Sequence, residues 1–182
     1  MKCLITATEG DVGQALVQIL RSNFPEWSLY GCDRSSEFQR DSLFVEQLLS
    51  IDASNVDYVT WLDQLIDEFA IDLVIPGSDA EILAISKSGG LSANVVMPNE
   101  YAVVTGSEKI LTYRFLKESG LPVPQTVLIN GEINFDFPFI VKPNIGRGSR
   151  DVEICSDALQ LEELRRLHPN SIAQELLHPS SE

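Results

Sequence analysis

Hydrophobic and polar positions follow two different rhythms along this chain, and the change falls near residue 104. The early part alternates short apolar runs with helical spacing. Residues 3–7 predict a strand, the segment Thr8-Glu9-Gly10-Asp11-Val12-Gly13 a turn, and Leu16, Ile19 and Leu20 a helix. A second strand over 27–32 ends at Asp33-Arg34, which completes a βαβ unit expected to be parallel and right-handed. Residues 35–57 carry short apolar pieces with no assignable period. From Val59 onward, Leu62, Leu65, Ile66 and Phe69 mark an amphipathic helix. The strand expected over 71–75, apolar except for Asp72, is of the kind buried on both faces of a parallel sheet. It ends in Pro76-Gly77-Ser78-Asp79-Ala80-Glu81, after which Ile82, Leu83 and Ile85 predict a helix broken at Gly89-Gly90, then a short strand at 95–97.

Past residue 104 the pattern becomes strand-rich. Thr105-Gly106-Ser107-Glu108-Lys109 reads as the cap of a helix with Ile110, Leu111, Phe115 and Leu116 inward, stopping at Gly120 before Pro122 and Pro124. Strands follow at 125–129, 137–142, 151–155 and 171–177, with a helix over 157–167. This is a small α+β unit, different in kind from the first domain.

Composition narrows the function classes. The 182 residues are 44% hydrophobic and 22% charged, ordinary for a folded protein with one good core or two small ones. The net charge of -14 opposes general binding to nucleic acid or to anionic membranes, since both need a basic footprint. Cys3, Cys32 and Cys155 are odd in number and scattered, which suits buried thiols in a reducing cytoplasm rather than a disulfide framework. His168 and His178 have no companion cluster to suggest a metal, and the N-terminus predicts neither a signal peptide nor a membrane span.

Against that acidic background, three of 13 basic residues, Lys142, Arg147 and Arg150, fall in the stretch Phe-Pro-Phe-Ile-Val-Lys-Pro-Asn-Ile-Gly-Arg-Gly-Ser-Arg-Asp at 137–151. A strand leading into a glycine loop with concentrated positive charge suits an anion, although a surface hairpin is the plainer alternative. Further acidic residues stand at the ends of two early strands. Asp33 lies about 20 residues beyond Gly10 and Gly13, as a ribose-binding acid would, yet the turn is one glycine short of the dinucleotide fingerprint. Asp79 and Glu81 sit where open α/β sheets bind ligands, and they would equally serve the first turn of a helix capped by Ser78 or Asp79.

The order of these elements resembles the ATP-grasp superfamily, in particular the carbamoyl phosphate synthetase large subunit and the carboxylate–amine ligases. The matching pieces are the Ile-Pro-Gly-Ser-Asp-Ala-Glu turn at 75–81, the helix bearing Lys109, and Gly-Leu-Pro-Val-Pro at 120–124. Phe-Pro-Phe-Ile-Val-Lys-Pro at 137–143, the lid-like loop at 146–150 and Gln-Glu-Leu-Leu at 174–177 complete the order. The resemblance implies an α/β fold: a Rossmann-like parallel-sheet pre-ATP-grasp domain over 1–104, then a linker helix and a small α+β first lobe of an ATP-grasp domain over 105–182. It implies that Lys109 and Lys142 hold ATP phosphates and that Gly146, Gly148, Ser149 and Arg150 belong to the lid. Glu175 and Leu177 would meet the adenine, Glu182 the ribose, and Asp79 and Glu81 the substrate side. It further implies Mg2+, small-molecule carboxylate and amine substrates joined through an acyl phosphate, and sheet edges offering surfaces for a homodimer. The family's metal carboxylates and catalytic arginine come from strands later than Glu182, so the expectation is an N-terminal fragment inactive by itself. A nicotinamide or sugar-nucleotide enzyme using the first βαβ unit, or a non-catalytic nucleotide-binding module, are the alternatives.

Overall fold

Residues 3–6 are all buried, which a strand permits only when both of its faces are covered. The computed structural model describes residues 1–35, 43–146 and 150–177. Five strands, β1 (Lys2–Thr6), β2 (Ser28–Asp33), β3 (Glu46–Leu49), β4 (Leu73–Ile75) and β5 (Asn94–Val95), pair in parallel in the order β3-β2-β1-β4-β5. Alternation along each strand divides the side chains between two cores. Cys3, Ile5 and Leu29 pack with Val17 and Leu20 of helix α1 (Asp11–Asn23). Leu4, Tyr30 and Val74 face the other way, onto Tyr58, Leu62 and Ile66 of α2 (Tyr58–Phe69) and Ile85 of α3 (Asp79–Ser88). Strand β3 falls in the segment with no readable period. It is a half-exposed edge, so only its backbone pairing with β2 defines it.

The chain divides into two compact units, Met1–Val103 and Val104–Glu182. A helix that the sequence pattern did not predict, α4 (Glu100–Ser107), straddles the division. Asn99 Oδ1 accepts from Ala102 N (2.9 Å) and starts it, and Thr105-Gly106-Ser107 forms its last turn rather than a cap for the next helix. Glu108 breaks the helix in an extended conformation before α5 (Lys109–Glu118).

In the second unit β6 (Thr126–Leu128), β7 (Phe139–Pro143), β8 (Glu153–Cys155) and β9 (Ser171–Glu175) form an antiparallel sheet in the order β6-β9-β7-β8. Helix α6 (Ala158–Leu167) is capped by Asp157, whose side chain accepts from Gln160 N, and it covers one sheet face through Leu164. The molecule is thus mixed α/β, with one parallel and one antiparallel sheet.

Close approach of backbones explains Gly13. A Cβ built there lies 2.2 Å from the carbonyl oxygen of Ala7 and 2.8 Å from Thr8 Cα, backbone atoms that have no rotamer to change. Gly13→Ala should therefore cost about 1–3 kcal/mol, the usual penalty of overpacking, read as a lower urea midpoint by Trp fluorescence. Gly106→Ala, where the added methyl meets nothing within 4 Å, should cost nothing.

Candidate functional site

The parity of β7 decides which of its residues reach the core. Phe139 and Val141 are buried with Cys155, Leu164 and Ala173, so Ile140 and Lys142 stand on the opposite face. Register sets Gln174 across from Ile140, and Thr126 across from Gln174, on that same face. Lys142 Nζ donates to Gln174 Oε1 (2.7 Å), Gln174 Nε2 donates to Thr126 Oγ1 (2.8 Å), and the Thr126 hydroxyl donates to the carbonyl of Pro124 (2.9 Å). An ammonium can only donate, so this relay holds the Gln174 amide with its oxygen toward Lys142.

Lys109 arrives from a different element, as the first residue of α5. Its Nζ donates to the carbonyl of Gly146 (2.9 Å) in the loop after β7. Its backbone N donates to the carbonyl of Asn144 (2.9 Å), and Asn144 Oδ1 accepts from Ile110 N (2.9 Å). Burial lowers the pKa of both ammonium groups, and at Lys142 the positive charge of Lys109 lowers it further. Among the described residues neither lysine has a carboxylate within ion-pair distance, although the chain carries 27 acids. Two half-buried like charges, held only by neutral oxygens, gain from any anion that reaches them.

The remaining expected nucleotide residues are spread along the same unit. Arg150 is exposed ahead of β8, and Leu177 is exposed beyond the end of β9. Glu175 lies on the opposite face of β9 from Gln174. Its Oε2 accepts from Gln125 N (3.1 Å) and its backbone N donates to the Gln125 carbonyl (2.9 Å), which fastens the start of β6. Gly148, Ser149 and Glu182, like Arg147 and His178, fall outside the described residues. Gln174, Thr126 and Asn144 were not singled out from the sequence. Counting strand parity back from Lys142 could have suggested Gln174, but only the β7–β9 register joins them.

In the first unit the strand order reverses between β1 and β4, the place where open α/β sheets form a ligand crevice. Here the residues that end β1 and follow β4 are bonded to one another. Glu81, only 5% exposed, turns inward, and its Oε2 accepts from Thr6 Oγ1 (2.7 Å) and from the N-cap residue Ser78 Oγ (2.9 Å). Gly77 N donates to Thr6 Oγ1 (3.2 Å), and a Cβ at Gly77 would lie 2.3 Å from the Thr6 carbonyl oxygen. Burial, and after it the charge of Glu81, raises the pKa of the Tyr58 hydroxyl and of the Cys32 thiol. Asp79, at the first position of α3, is exposed. The two acids paired in the sequence reading thus have separate surroundings. Asp33 is also engaged by its own chain, accepting from Glu9 N (3.0 Å) and Ser35 N (2.9 Å).

Among the described residues no group of three or more His, Cys, Asp or Glu could hold a metal ion, and no helix is long and apolar enough to cross a membrane. The three cysteines are free and buried, with Cys3 pushed up to about 12 by desolvation.

Thr6→Val removes the hydroxyl that Glu81 accepts from and that Gly77 N donates to, inside a buried cluster. It should cost about 1–3 kcal/mol in urea unfolding, and an unchanged midpoint would show that the cluster does not support the fold. Lys109→Gln removes the positive charge that favours the neutral form of Lys142, so the Lys142 pKa should rise in an NMR titration. A lysine with a depressed folded pKa binds fewer protons folded than unfolded, so stability climbs with pH between the two values. In Lys109→Gln the onset of that climb should move to higher pH.

No family model matches the chain. A carbamoyl-phosphate synthase of Methanobrevibacter smithii is 23% identical over an alignment of 122 residues that covers 60% of this chain and 33% of the relative. The L-amino acid ligase of Bacillus licheniformis matches with a TM-score of 0.70 at 16% identity, over 97% of this chain and 44% of that one. The biotin carboxylase domain of the 2-oxoglutarate carboxylase of Hydrogenobacter thermophilus, solved with MgADP, ADP and bicarbonate, matches with a TM-score of 0.69 at 14% identity, over 97% and 44%. The chain therefore spans about a third of the curated relative and under half of these solved structures. At such identities the structural matches carry the fold. In fold over nearly its whole length, and in sequence over 122 residues, the chain resembles the N-terminal portion of the ATP-grasp carboxylate–amine ligases.

Proposed function

We propose that this chain supplies the phosphate-gripping part of an ATP-dependent carboxylate–amine ligase. Residues 1–104 would be its pre-ATP-grasp domain and 105–182 the first lobe of its ATP-grasp domain. The observation that carries the reading is the lysine pair. Lys109 and Lys142 are brought together from a helix and a strand, partly desolvated, and held by neutral oxygens alone among the described residues. Compact ammonium groups suit the spread negative charge of a polyphosphate. One of the structures that the chain resembles was solved with MgADP.

In this reading Lys142 keeps its place through Gln174 and Thr126, and Lys109 through Gly146. The carbonyl of Gly146 would be exchanged for a phosphate oxygen when nucleotide binds. The loop at 146–150, with Gly148, Ser149 and Arg150, would cover the phosphates. Backbone groups of Glu175 and Leu177 would meet the adenine edge and Glu182 the ribose, since a carboxylate accepts two hydrogen bonds from a diol. Asp79 is exposed and remains a candidate toward the substrate. Glu81, turned inward, would act there through the Gly77-Ser78 turn that it holds. ATP would supply the phosphoryl group that turns a small carboxylate into an acyl phosphate open to attack by an amine. Magnesium ligands are not grouped among the described residues, and would come from a part of the protein beyond them.

Isothermal titration with ATP tests the reading. Lys142→Gln keeps a polar side chain, one atom shorter, and removes the charge, and the loss of a charge-assisted contact should weaken ATP by about 10- to 100-fold. Equal binding by the variant would overturn the assignment.

A further inference from the structure

Asn144, which no resemblance or comparison assigns a role, joins the two elements that carry the lysines. The first backbone N–H groups of any α-helix lack partners within the helix, and Glu108, the N-cap of α5, supplies none through its side chain. Asn144 does so from the end of β7. Its carbonyl accepts from Lys109 N (2.9 Å), its Oδ1 accepts from Ile110 N (2.9 Å), and its Nδ2 donates to Glu108 Oε2 (3.0 Å). Its own N donates to the carbonyl of Asn170 (3.1 Å), in the turn before β9. All four polar groups of Asn144 are therefore committed, three of them to the consecutive residues 108–110. Lys142 stands two residues before Asn144, and Gly146, which accepts from Lys109 Nζ, two residues after it.

We propose that Asn144 is the positioning residue that sets the spacing between the Lys109 and Lys142 ammonium groups for a polyphosphate. The inference rests on the nucleotide reading of the lysine pair. The site demands an acceptor toward Ile110 N and a donor toward Glu108 at once, which the carboxamide provides and a carboxylate does not. The two ammonium groups repel each other, so without the clamp α5 would drift from β7 and the pair would open. The two ammonium groups reach one polyphosphate together only while their spacing matches it, and a lysine carried out of hydrogen-bond range by a shift of α5 loses its short charge-assisted contact.

Three variants of the full chain test this, titrated with ATP well below the unfolding temperature, with circular dichroism and the unfolding midpoint as checks of folding. Asn144→Asp sets two carboxylates against each other and should weaken ATP about tenfold or more. Glu108→Gln alone still accepts from Asn144 Nδ2 and should bind ATP nearly as the parent does. The double variant Glu108→Gln/Asn144→Asp has the same net charge as the parent and a restored donor–acceptor pair, and it should recover most of the affinity. A residue that only capped the helix would lower the unfolding midpoint in Asn144→Asp and leave the affinity of the folded protein unchanged. Unchanged affinity in folded Asn144→Asp, together with weakened binding in Lys142→Gln, would overturn this inference alone. Failure of the double variant to recover while folded would also overturn it. If the parent chain bound no ATP, or Lys142→Gln bound as well as the parent, the nucleotide reading would fall and this inference with it.

Discussion

Lys142 and Lys109 are partly out of water, the charge of Lys109 lowers the pKa of Lys142, and a small set of polar bonds in the second unit holds each of them in place. Lys142 is held from the side by a relay through Gln174 and Thr126 that ends on a backbone carbonyl. Lys109 is held at its backbone by Asn144 and at its tip by Gly146. The acceptors are neutral. A carboxylate in either place would have satisfied the lysine internally and left it little to offer an incoming anion. The overall charge of -14 sharpens the point, because acids are abundant and none among the described residues is placed within ion-pair reach of these lysines.

The first unit solves a different problem. Its parallel sheet is covered on both faces by helices, and where the strand order reverses the chain ends of β1 and β4 are closed onto each other by hydrogen bonds. Glu81 is the group on which that closure depends. A buried carboxylate is costly unless it receives hydrogen bonds, and Thr6 and Ser78 supply them. Gly77 lies so close to the Thr6 carbonyl that no side chain fits between them. Asp33, at the end of β2, likewise accepts from two amides of its own chain, one on each carboxylate oxygen.

Legibility in the sequence tracks physical locality. Short apolar runs such as Leu73-Val74-Ile75 announced a parallel sheet buried on both faces, because period and burial are properties of neighbouring residues. Strand β3 was unreadable for the converse reason. Glu46–Leu49 is a partly exposed edge without a dry face, and only pairing with β2 makes it a strand. Helix α4 was missed because Val103, Val104 and Gly106 are weak helix formers. Its start depends on the Asn99 side chain, a residue that also suits a chain turning away from a sheet.

At the candidate site the division is the same. Spacing and composition alone announce a strand ending in Lys142-Pro143 that runs into a glycine loop, a helix near Lys109, and positive charge concentrated near that loop in an acidic protein. The sequence also leaves Glu81 equally suited to a ligand or to a helix end, since both uses place an acid in the first turn. Only the tertiary structure decided that Glu81 faces inward to Thr6, that Gln174 meets Lys142 across the β7–β9 register, and that Asn144 caps a helix beginning 35 residues before it. Those contacts join residues 32 to 75 positions apart, and no local period or propensity encodes them. They arise when strand pairing fixes the parity of facing side chains and when an unpaired helix terminus must find its acceptors elsewhere in the chain.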